Sequence, residues 1–137
     1  MKDNEMTFEA KILYIGEDLV KLYCEKTKRP LSELERHVIL IYMFGMANSM
    51  REKLYPHLTP LQTETAMTAV MVKLFDYQIE KAQMLISGFI AQLQSPEPNT
   101  IKHIIFYGFD AYAEWENNRK EQIADEIVYL LNLIKPQ

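Results

Sequence analysis

From Thr59 to Gln94 the chain runs for 36 residues with no proline after its first turn and one glycine, Gly88. Thr59 suits an N-cap because its hydroxyl can accept from the first unpaired backbone N–H groups. Pro60 suits the first helical position, where a missing N–H costs little, and Gln62 completes a capping box. Met67, Val70, Met71, Leu74, Ile79, Ala82, Leu85, Ile86, Phe89 and Leu93 then carry an apolar stripe along the run. One continuous helix of this length would span roughly 50 Å. That is long for 137 residues, so a bend is expected near Ser87-Gly88. A long amphipathic helix must bury its stripe against other helices, and the rest of the chain supplies them.

The first of these runs from about Thr7 to Thr27, with Phe8, Ile12, Ile15, Leu19 and Leu22 on one face. Lys26, Lys28 and Arg29 suit the negative end of its dipole, and Arg29-Pro30 breaks it. The second begins at Ser32, with Glu35 completing a capping box, and reaches about Leu54. Its middle, Val38 to Ala47, is apolar nearly all round and belongs at the centre of the bundle. Gly45 there costs about 1 kcal/mol relative to alanine, which close approach of a neighbouring helix would offset. Ser95-Pro96-Glu97-Pro98-Asn99 is the clearest loop, and Asn99 or Thr100 can cap a fourth segment from Ile101 to about Glu116. A fifth carries Ile123, Ile127, Leu130, Leu131 and Ile134. Asn117-Asn118 is either a turn or the middle of one continuous helix. With no strand alternation and no hairpin partner, the expected fold is all-α: a single-domain bundle of four or five helices spanning 1–137.

Composition narrows the class. No apolar stretch is long enough to cross a bilayer, and the charged opening Met1-Lys2-Asp3-Asn4-Glu5 is unlike a secretory signal. Cys24 is the only cysteine, so no internal disulfide forms; a buried, inert thiol in the cytoplasm is the simplest reading. The net charge is −4, and residues 1–56 are balanced, with nine basic and nine acidic side chains. The deficit therefore lies further on, with no basic cluster of the kind that non-specific nucleic-acid binding needs.

Reactive chemistry is not visible. Residues Leu34, Leu54 and Thr100 stand three before His37, His57 and His103, so the helical Glu-x-x-His metal pattern is missing. Glu33 and His37 share a helix face, but such a pair reads as surface hydrogen bonding, and His57 as a solvated loop residue. Gly16, Gly45, Gly88 and Gly108 are isolated, leaving nothing from which to build a phosphate-cradling loop or a nucleophile elbow. No metal, no cofactor and no catalytic set is expected. Eight methionines suggest a flexible apolar face. Met43, Met46, Met50, Met67, Met71 and Met84 nonetheless fall on stripes that fill gaps between helices.

One surface feature stands out. Asp110, Glu114, Glu121 and Asp125 follow at intervals of four, seven and four. On a continuous helix over 101–133 these acids would form one ridge, with Asn118 in the gap and Tyr107, Tyr112 and Trp115 near its upstream end. Acids beside aromatics match the charge-and-anchor composition of protein interfaces, and an acidic ridge would steer a basic partner. Read more plainly, it is a solvated helix face, with Tyr107, Phe106 and Phe109 at least partly in the core.

The helix order, the apolar Tyr42-Met43-Phe44-Gly45-Met46 stretch and the aromatic-acidic Phe106 to Trp115 segment make the chain resemble the all-helical immunity proteins of bacterial polymorphic toxin systems. The resemblance implies a non-enzymatic cytoplasmic inhibitor that binds a cognate toxin, often a basic nuclease, and blocks or disables it. On that reading Tyr107, Asp110, Tyr112, Glu114, Trp115, Glu121 and Asp125 form the contact surface. A second reading is an oligomeric regulatory or scaffold subunit, such as a phage or plasmid accessory protein, with the apolar second helix and the Met-rich faces forming a homodimer interface. A third is a helical enzyme or ligand-binding bundle with carboxylates around a cavity.

Overall fold

Capping residues set the helix boundaries. In the computed structural model, which describes residues 6–134, Thr7 accepts from the Ala10 N–H and starts α1 (Phe8–Thr27). Ser32 and Glu35 form the expected reciprocal box at the start of α2 (Glu33–Leu54). Thr59 and Gln62 do the same for α3 (Pro60–Phe75). α4 (Ile79–Gln94) follows, and Asn99 accepts from the Lys102 N–H to start α5 (Thr100–Glu116). α6 (Lys120–Ile134) ends the described chain. The fold is all-α, as expected, but with six helices rather than four or five among the described residues.

The departure is local, and the alternative left open at Asn117-Asn118 is a turn. The long third helix is two helices, because Asp76 takes the left-handed conformation at φ 57° and its N–H closes on the Val72 carbonyl. Aspartate tolerates that conformation better than most residues. The break therefore falls at Asp76-Tyr77-Gln78, not at Ser87-Gly88, which lie inside α4. The sequence carries a trace of it: the stripe steps by three or four up to Leu74 and then by five to Ile79. Ile79 is in fact exposed. The second break separates α5 from α6, so 101–133 is not one helix. Asn118 is left-handed at φ 60°, its N–H bonds the Trp115 carbonyl, and the Arg119 N–H bonds the Glu114 carbonyl at 2.9 Å. This is a Schellman ending, with asparagine in the place usually taken by glycine.

α2 is the core of the bundle. Every residue from Val38 to Ala47 is buried, and the apolar cluster around it draws on all six helices of the described chain. Each large apolar side chain so buried contributes about 1.5–3 kcal/mol. Its closest neighbour is α5. A Cβ on Gly45 would strike the Ile105 carbonyl oxygen, and one on Gly108 would strike the Tyr42 carbonyl oxygen. The backbones touch there, which accounts for a glycine inside the most apolar helix.

Met43, Met46, Met50, Met67 and Met71 are buried as gap fillers, whereas Met84 is 74% exposed. An oligomer interface built from α2 is ruled out by its burial. Leu22 and Cys24 are half-buried, not fully inside, and Tyr23 takes the buried position. At the α1–α2 corner Glu35 is 1% exposed. Its carboxylate accepts from the Tyr23 hydroxyl at 2.5 Å, from the Ser32 N–H at 2.8 Å and from the Arg29 guanidinium. Burial pushes this carboxyl up, but the donors outweigh burial and hold it down at about 2.

Candidate functional site

Splitting the 101–133 segment divides the acidic row. On α5, Asp110 and Glu114 stand one turn apart; on α6, Gln122 and Glu126 do the same. Together with Tyr42, Ala111 and Ile123 these four side chains line a cleft of about 280 Å³. The buried Tyr42 hydroxyl donates to Glu126 Oε1 at 2.7 Å. Burial pushes the Glu126 carboxyl above the usual carboxylate range; the Tyr42 donor counters this, while the charges of Asp110 and Glu114 add to it. Burial, with the carboxylates of Glu126 and Glu114 beside it, likewise raises the Tyr42 hydroxyl. Glu114 pairs with Arg119 at 3.3 Å. Three carboxylates crowded over a buried phenol accept hydrogen bonds best from a guanidinium or ammonium group, which would relieve their mutual repulsion.

Aromatic side chains continue this face one turn away. His103 meets Tyr107 edge-on at 4.8 Å, and Tyr107 lies 6.4 Å from Tyr129 on α6. Phe106, one turn before Asp110, is 53% exposed, and Phe109 is 37% exposed. These two are exposed and not partly core as expected, whereas Tyr107 is partly buried against the core. Phe106, Phe109 and Tyr129 together are the exposed apolar counterpart to the acids beside them.

The structure thus brings together Tyr107, Asp110 and Glu114 from the expected set. Tyr112 and Trp115 lie inside the fold. Tyr112 is fully buried and stacks on Trp115, with ring centroids 6.3 Å apart. The Trp115 indole N–H donates to Asp18 Oδ2 at 3.1 Å, and Lys120 pairs with the same oxygen at 2.8 Å. Trp115 therefore fastens α5 to α1 and is not available as an anchor. Glu121 and Asp125 flank another concavity, with Leu22, Glu25 and Lys26 of α1, where Asp125 pairs with Lys26 at 2.5 Å. They do not share a ridge with Asp110 and Glu114, because the left-handed Asn118 rotates α6 out of the phase of α5.

Glu126, Tyr129, Phe106, Phe109 and Tyr42 are the members that sequence reasoning missed. Tyr42 carried a usable signal: a phenol within an otherwise apolar run needs a hydrogen-bond partner when buried. His37 lies edge-on to Phe89 at 5.7 Å, and His57 is an exposed loop residue. Among the described residues no cluster of three or more histidine, cysteine or carboxylate groups could hold a metal ion. No helix among them is long and apolar enough to cross a membrane.

A protein-family model described as Immunity protein 48 matches residues 16–135. No curated protein and no solved structure matches the chain.

Proposed function

The chain belongs to the Immunity protein 48 family, and from that premise we propose that it neutralises a cognate bacterial toxin by direct contact in the cytoplasm. The family match covers α2 to α6 entirely and most of α1. The contact surface is the α5–α6 face. Asp110, Glu114 and Glu126 supply charge for attraction and orientation, and Phe106, Phe109, Tyr107 and Tyr129 supply area to bury. Binding, not turnover, is the activity, and the toxin presents a basic side chain to the cleft. Supporting this most is the juxtaposition of exposed Phe106 with the Asp110–Glu114–Glu126 cleft on one side of two adjacent helices.

The test is co-expression with toxin genes encoded beside this one, within a polymorphic toxin locus where one is present. Protection by the wild-type chain, and its loss with Asp110→Lys combined with Glu114→Lys, is the expected result. Protection that survives this double charge reversal in a folded protein would remove the cleft from the mechanism. Failure to protect against any adjacent gene product would count against the toxin partner itself.

A further inference from the structure

The turn at 117–119 brings α6 back along α5, and the Tyr107–Tyr129 ring pair, 6.4 Å between centroids, marks their register. One turn from that pair toward the connection, Asp110 and Glu126 line the acidic cleft, and one turn further on Glu114 and Gln122 line it too. One turn in the other direction, His103 and Leu133 line a second concavity, of about 320 Å³. Thr100, His103, Tyr107, Asp110 and Glu114 recur every three or four residues along α5. The cleft, the tyrosine pair and the second concavity therefore lie along one seam between the two helices.

The two ends of the seam differ in chemistry. The cleft holds three carboxylates, and Arg119 pairs with one of them, Glu114. Among the described residues no lysine or arginine lines the cleft itself. The second concavity is floored by buried Ile104 and Leu130 and rimmed by Ile134 and by Leu133, which is 56% exposed. No carboxylate, lysine or arginine among the described residues lines it. Glu97 and Lys102 adjoin it in sequence without lining it, and the Lys102 ammonium donates to the Ser95 carbonyl at 2.8 Å. From Asp110 back to His103 the step is two helical turns, roughly 10 Å along the axis.

Resting on the reading of this face as the toxin contact, we infer that the toxin lays one amphipathic helix along the seam. Its arginine or lysine enters the acidic cleft, and a large apolar side chain seven residues away enters the concavity at Leu130 and Leu133. Charge selects the occupant of the first site, since three carboxylates take a cation best. Spacing selects the form of the segment that joins the two. A helix packed nearly along α5 has the same rise, so its positions i and i+7 face the two sites and i+3 or i+4 faces the tyrosine pair between them. A strand returns to one face at roughly 7 and 13 Å, which seats one side chain or the other but not both. A groove between two helices is also a common seat for the apolar face of a third.

Lactam-bridged helical peptides carrying one arginine and one leucine, titrated into the full chain and followed by NMR, test the inference. A spacing of seven should bind roughly tenfold or more tighter than a spacing of four, or than the same peptide with glutamate in place of arginine. Shifts should centre on Tyr107, Tyr129 and Leu133. Leu133→Ala should weaken the spacing-seven peptide roughly tenfold with an unchanged circular dichroism spectrum. No binding at millimolar peptide, equal binding at both spacings, or indifference to Leu133→Ala overturns the inference. So does a dimer of the chain alone, in sedimentation equilibrium, that Leu133→Ala dissolves, because the seam would then belong to a second copy. Co-expression with the toxin judges the underlying reading separately. If charge reversal at Asp110 and Glu114 abolishes protection while Leu133→Ala leaves it intact, the contact stands and the helix along the seam falls. If neither change affects protection, the contact falls and the inference with it.

Discussion

The Tyr42 hydroxyl donates to the Glu126 carboxylate at 2.7 Å, linking the most buried helix to the floor of the acidic cleft. Glu126 titrates above the ordinary carboxylate value chiefly because it is desolvated. Its folded form therefore holds a proton more tightly than the unfolded chain does. At neutral pH its ionisation weakens the fold, and its share of stability grows as pH falls through the folded value. Tyr42→Phe removes the donor, so the carboxyl should titrate higher still, and the protein should lose about 1–2 kcal/mol at neutral pH. Carbon-detected NMR titration of Glu126 reads the shift; an unchanged titration would show that the hydrogen bond does not bear on the cleft.

Glu35 behaves in the opposite sense. Its donors depress the carboxyl to about 2 from an ordinary 4.5, so the stability it contributes is present above 4.5 and is lost as pH falls toward 2. Glu35→Gln should cost about 2 kcal/mol at neutral pH, since a neutral amide accepts poorly from Arg29 and Tyr23. The variant should also lose less stability than the wild type across that acid window. Urea melts at several pH values check both. Parallel acid limbs for the two proteins would contradict the assignment.

Two helical glycines predict opposite signs for one substitution. Gly108→Ala drives a methyl into the Tyr42 carbonyl oxygen, and neither backbone can move without unpacking α2. A loss of about 3 kcal/mol or more is expected, or failure to fold. Gly88→Ala meets open space and should stabilise the fold by up to about 1 kcal/mol. Thermal melts compare the two. A mild Gly108→Ala phenotype would mean that the crossing is looser than its geometry states.

These contrasts show where sequence reasoning holds. Capping boxes at Ser32 and Thr59, the buried Val38 to Ala47 run and the close approach at Gly45 were all legible, since each depends on local chemistry or on an apolar pattern too strong to place elsewhere. The break at Asp76 was not, and the turn at Asn117-Asn118 was legible only as one of two alternatives, because both use left-handed residues without proline or glycine to mark them. That one torsion at Asn118 also divides the acidic row. A ridge drawn through Asp110, Glu114, Glu121 and Asp125 assumes a helical phase that the turn resets, and it hid Glu126 behind its neighbour Asp125. Trp115 looked like an anchor because composition cannot show that Asp18, 97 residues away, accepts from its indole.

The division of the acids is itself testable, once the toxin partner is in hand. Asp110 and Glu114 border the cleft with Glu126, whereas Glu121 and Asp125 lie beside Lys26 on the α1 side. Asp110→Lys with Glu114→Lys should slow association and flatten its dependence on salt, because steering charge is removed from the proposed contact. Glu121→Lys with Asp125→Lys makes the same change in net charge, yet should alter association only weakly, since Lys26 already neutralises Asp125. Phe106→Ala should act differently from both, speeding dissociation with little effect on association, as loss of a buried aromatic anchor does. Stopped-flow association at two ionic strengths distinguishes the three variants. If the two double reversals are equally damaging, the partner responds to total charge and the α5–α6 cleft has no privileged place in the contact.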